Sequence, residues 1–78
     1  MTLEQLRDVH QARPFRPFTL ELANGGEVHV PHPEFLSYFP RGRTIAVAIS
    51  EDVIKIVDIM LVAAIQVGND KARRKRTR

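Results

Sequence analysis

Seventy-eight residues, 44% hydrophobic and 27% charged, allow one packed domain and exclude a chain that is disordered throughout. There is no cysteine, which excludes disulfides and thiolate metal sites and fits a reducing, cytoplasmic setting. The net charge of +3 conceals an asymmetry: residues 71–78 hold six of the twelve basic residues and no acid, so residues 1–70, with six bases and nine acids, carry −3.

The longest apolar stretch, Ile59 to Ile65, is seven residues, where a membrane-spanning helix needs about 20. The start, MTLEQLRD, is polar and lacks the pattern of a signal peptide. No membrane partner is expected. A domain of this size is marginal in stability, so self-association is the expected supplement.

In chain order, Thr2 to Ala12 has the pattern of a helix. Thr2 is a good N-cap and Gln5, three residues on, completes a capping box. Leu3, Leu6, Val9 and His10 share one face, with Glu4, Arg7, Asp8 and Gln11 on the other. Pro14 stops the helix by disfavouring the α conformation at Arg13. Residues 13–18 repeat Arg-Pro-Phe, a stiff connector that delivers Phe15 and Phe18 to the core; the alternative is a recognition motif for another domain.

Phe18 to Val30 is predicted as a hairpin. Phe18, Leu20 and Leu22 alternate with Thr19, Glu21 and Ala23; Asn24-Gly25-Gly26 supplies the turn; Val28 and Val30 then alternate with Glu27 and His29. Pro31 and Pro33 end the strand. The connection Glu34–Arg43 holds Phe35, Leu36, Tyr38 and Phe39, too apolar for a free loop, and a short helical turn over Glu34–Tyr38 fits it.

Thr44–Ser50 is predicted as a strand with Ile45, Val47 and Ile49 on one face and the small Ala46 and Ala48 on the other. Val53–Val57 is a fourth strand and Leu61–Val67 a fifth; a helix across residues 58–67 competes with the last. Gly68-Asn69-Asp70 closes a domain of residues 1–70, and residues 71–78 form a basic tail expected to be disordered when free.

The fold class is therefore mainly β: an N-terminal helix and about five short antiparallel strands. This order resembles the SH3-like barrels, and among them the Sm-like fold, over residues 3–67. Asn24-Gly25-Gly26 stands at the first hairpin turn, whereas Pro31-His32-Pro33-Glu34 departs from the nucleotide-contacting loop of that family. The resemblance implies assembly through open strand edges. The segment RPFRPFTLELANGGEVHVPHPE also resembles short bacterial proteins sharing an RPF…L-x-(D/N)-G…HP pattern, a likeness that implies a compact domain and no activity.

Chemistry-bearing patterns are sparse. His29, His32 and Glu34, with Glu27 nearby and His10 on the helix, offer imidazoles and carboxylates to a metal, but solvated strand and loop residues account for them more simply. Ser37 and Ser50 lack a nucleophile elbow, and there is no phosphate-cradling glycine loop. No enzyme activity and no cofactor are expected. Arg41 and Arg43, with Arg13 and Arg16, offer a second basic patch, but surface arginines covering apolar area with their stems account for them more simply.

The candidate nucleic-acid-binding residues are Lys71, Arg73, Arg74, Lys75, Arg76 and Arg78. Such a string neutralises phosphates and releases counterions without reading sequence. The expected partner is RNA or DNA; the alternative is a protein or a second copy of the chain, in a homo-oligomeric adaptor.

Overall fold

The computed structural model describes residues 1–68. Its helix α1 is Leu3–His10. The Thr2 hydroxyl accepts the Gln5 N–H at 3.1 Å, and the Gln5 side chain accepts the Thr2 N–H at 3.0 Å. Both halves of the capping box are thus made, satisfying two N–H groups at the helix start that no carbonyl in the helix can reach. Leu6 is the buried residue of α1.

Strands β1 (Phe18–Leu22) and β2 (Glu27–Val30) form the hairpin. Gly25 turns it at φ +94°, a left-handed conformation that side chains with a Cβ seldom take. Asn24 Oδ1 accepts the Gly26 N–H at 2.9 Å and braces the same turn. The remaining strands are β3 (Leu36–Tyr38), β4 (Thr44–Ala48), β5 (Ile54–Asp58) and β6 (Val62–Val67).

They build two antiparallel sheets, ordered β2-β1-β6 and β3-β4-β5. Leu20 faces Val28 on one side and Ile65 on the other; Ile45 faces Val57 and Tyr38. Phe18, Leu20, Val28, Val30 and Val62 of the first sheet join Leu36, Ile45, Val47 and Val57 of the second, with Leu6 and Ile59, in one core.

Several expectations are corrected. Six strands, not about five, are present among the described residues. The extra one arises where a helical turn over Glu34–Tyr38 was expected. A 3-10 turn occupies Pro33–Phe35, and β3 follows at once. Pro33 pre-sets the turn's φ, and pairing of Ser37 with Ala46 then draws the chain into the second sheet.

The 58–67 segment is mostly strand, with a 3-10 turn at Ile59–Leu61. Asp58 Oδ1 accepts the Met60 N–H at 2.9 Å and nucleates that turn. β4 ends at Ala48, before Ser50, because the Ile49 N–H bonds Val53 O at 2.8 Å and begins the reversal. Ile49 consequently leaves the core face and is exposed. No helix among the described residues is long and apolar enough to cross a membrane.

Candidate functional site

Three elements meet at the end of α1. His10, its last residue, lies 2.6 Å through Nε2 from the Pro33 carbonyl oxygen and 2.8 Å through Nδ1 from the Tyr38 hydroxyl. A carbonyl only accepts, so Nε2–H donates to it; in the tautomer with its proton on Nε2, Nδ1 accepts the Tyr38 O–H. His10 thereby ties the helix to the Pro33–Phe35 turn and to β3.

Arg7, three residues earlier and expected on the face away from His10, also reaches Tyr38: its Cζ lies 5.0 Å from the ring centroid, within cation–π range. Burial pushes the Tyr38 phenol above its ordinary 10.0, and the Arg7 charge pulls it partly back. Tyr38 is therefore held as a proton donor to His10.

Beside this cluster lies a solvent-open cleft of about 930 Å³, between the end of α1 and the Pro33–Phe35 turn. His10, Gln11, Arg13, Phe15, Pro33 and Glu34 line it. Phe15, which lines it, is half-buried and packs at a tilt on the buried Phe18, with centroids 5.9 Å apart. The rim of the cleft is polar, with Gln11, Arg13 and Glu34 all exposed. The doubled Arg-Pro-Phe thus divides its work: Phe18 enters the core, whereas Phe15 packs against it and also lines the cleft.

The second Arg-Pro-Phe places Arg16 at the point where the described chain ends. The Gly68 N–H donates to Pro17 O at 2.8 Å, extending the β1–β6 ladder. A Cβ on Gly68 would lie 3.4 Å from Arg16 Nη2. The exposed Arg16 guanidinium therefore flanks the departure of the basic tail. The tail residues Lys71, Arg73, Arg74, Lys75, Arg76 and Arg78 lie outside the described residues.

The other patterns noted in the sequence are dispersed. Arg43 sits beside Asp58, Nε to Oδ1 3.9 Å, with both side chains exposed, a pair worth about 0–1 kcal/mol. His29 shares a hydrogen bond of 3.0 Å with Thr19 across the hairpin, and His32 stacks on Phe35 with centroids 5.4 Å apart. Among the described residues no three His, Asp or Glu side chains gather as a metal would need.

A second surface was not legible in the sequence. On β5, Ile54 and Ile56 are 65% and 56% exposed, opposite Ala48 and Ala46 of β4. The Ile49-to-Val53 and Ile59-to-Arg43 bonds fix the phase of the ladder, so Ile54 and Ile56 turn their backbone N–H and C=O groups away from β4. In the run Val53-Ile54-Lys55-Ile56-Val57 either alternate set reads as the inward one; burial of Val57 against Ile45 decides it.

In comparison with known proteins, the chain matches no family model, no curated protein and no solved structure.

Proposed function

We propose that this protein is a non-catalytic binding module of SH3-like, Sm-like type that associates with RNA or DNA through its basic C-terminal residues. The observation that carries the reading is the charge distribution: six cations and no acid in residues 71–78, on a body of net −3. A uniformly basic domain would spread its attraction over a face. Here the attraction is concentrated in one arm, which suits phosphate binding without sequence choice. The small β fold acts as its platform.

The test is binding of labelled RNA and DNA to the chain and to a variant with Arg73, Arg74, Lys75 and Arg76 replaced by glutamine, at two salt concentrations. The reading requires that the chain bind, that affinity fall with salt, and that the variant bind far more weakly. Absence of binding by the chain at low salt ends it.

A second reading, a protein-interaction or homo-oligomeric module, is favoured by the β5 edge. An exposed edge with Ile54 and Ile56 beside it is a ready template for strand addition. The apolar Phe35–Phe39 connection supports it less than its composition promised. Leu36 is buried, Phe35 and Tyr38 pack on the core, and Phe39 is the large apolar residue of that segment left exposed. Light scattering tests this reading, and a strict monomer at high concentration removes its self-assembling form.

A further inference from the structure

We propose that the cleft at the end of α1 is the body's own contact surface for a single-stranded nucleic acid, and that Arg16 and Arg13 carry the phosphate path from the tail into it. This rests on the reading of the tail as a phosphate-binding arm and adds to it a site on the folded part of the chain.

The first support is continuity of charge. The chain leaves the described fold at Gly68, with Arg16 Nη2 3.4 Å from where its Cβ would be. Arg13, exposed on the cleft rim, lies three residues before Arg16 in the connector. A polyanion held by the tail is thus led past Arg16 toward Arg13.

The second support is the character of the cleft. Affinity for phosphate needs no concavity, but a base needs an apolar floor and polar groups at its edge. Phe15, half-buried, lines the cleft together with Pro14 and Pro33 and offers that apolar surface. The Gln11 amide, exposed on the rim, has both donors and an acceptor for a base edge. His10 is not available for that role, since both ring nitrogens are engaged by Tyr38 and Pro33. The volume of about 930 Å³ is ample for one nucleotide. A single strand can offer an unstacked base face, whereas a duplex keeps its bases paired and stacked, with only their edges exposed in the grooves. Glu34, also lining the cleft, opposes the phosphate and limits affinity.

The experiment uses the full-length chain and labelled oligonucleotides of about 12 nucleotides, as single strands of uridine or thymidine and as a DNA duplex. Four variants are compared with the parent: R13Q/R16Q, F15L, E34Q, and the tail with Arg73, Arg74, Lys75 and Arg76 changed to glutamine. Phe15→Leu keeps the apolar contact with Phe18 and removes the aromatic face; thermal melts verify that each variant is folded.

R13Q/R16Q is expected to weaken single-strand binding and to reduce its log–log salt slope by about 0.7 for each arginine. F15L weakens single-strand binding about fivefold or more, and E34Q strengthens it. Duplex binding is left unchanged by F15L. If the tail variant loses binding while R13Q/R16Q and F15L match the parent, the cleft proposal is overturned and the tail reading stands. If the tail variant binds as the parent does, the tail reading falls, and the cleft is then judged by the losses in R13Q/R16Q and F15L alone. Equal losses on single strand and duplex in F15L overturn the base-binding role. No binding by the parent overturns both.

Discussion

His10 and Tyr38, 28 residues apart in sequence, are joined by a 2.8 Å hydrogen bond in which the phenol donates to Nδ1. The rings meet edge to face, with centroids 5.4 Å apart. Because His10 Nε2–H is committed to Pro33 O, the imidazole presents only an acceptor to Tyr38. The helix, the 3-10 turn and β3 are therefore locked by one imidazole, and the cleft lies beside that lock.

Tyr38→Phe removes the donor while keeping the ring under Arg7. The expected cost is about 0.5–1.5 kcal/mol, read as a lower urea midpoint with an unchanged m-value. The alkaline behaviour checks the same contact. The Tyr38 phenol is raised above 10.0 by burial, so the fold favours its neutral form. That stabilisation is complete below pH 10.0 and is lost as pH rises through the higher folded-state value. In Tyr38→Phe this alkaline loss should vanish; an identical alkaline profile in both proteins contradicts the assignment.

Leu6 ties the helix to the sheets, being fully buried within the core formed by both. Leu6→Ala is expected to destabilise by about 2–5 kcal/mol. Against a total of about 5–15 kcal/mol for a domain, that is enough to leave a substantial unfolded fraction. Urea titration measures it. A change below about 1 kcal/mol would mean that α1 is not docked as described.

The β5 edge separates stability from association. Ile54 and Ile56 are mostly exposed, so I54K/I56K should alter the stability of the single chain by no more than about 0.5 kcal/mol. If copies meet along this edge, the same change abolishes their association, since a charged edge resists strand addition. Sedimentation of the parent and the variant decides it; an unchanged mass distribution places any interface elsewhere.

Local chemistry is what the sequence made legible. The Thr2–Gln5 capping box and the Asn24-Gly25 turn involve residues one to three positions apart, and each was readable from residue type alone. The alternation expected in the hairpin holds in β2, whereas in β1 Thr19 is buried along with Phe18 and Leu20, its hydroxyl sharing a hydrogen bond with His29. β3 was hidden by its length of three residues and by the proline-led turn before it. The outward set of β5 was hidden because both alternate sets hold branched apolar residues. The contacts His10–Tyr38 and Arg16–Gly68 join segments that only the closed fold brings together, and no spacing announces them. The cleft is made of such contacts, which is why the sequence pointed to the tail and not to it.

The tail itself yields a graded prediction. If residues 71–78 act as a string of equivalent phosphate contacts, the identity of each cation is immaterial and only the count matters. Replacing one, two and then four of Arg73, Arg74, Lys75 and Arg76 by glutamine should lower the duplex log–log salt slope by about 0.9 for each residue replaced. The order of replacement should not alter the series, and RNA and DNA of mixed sequence should respond alike. Titrations across several salt concentrations measure the slopes directly. If one arginine accounts for most of the loss, that residue makes a specific contact, and the tail is recognising a defined partner surface in place of a generic run of phosphates.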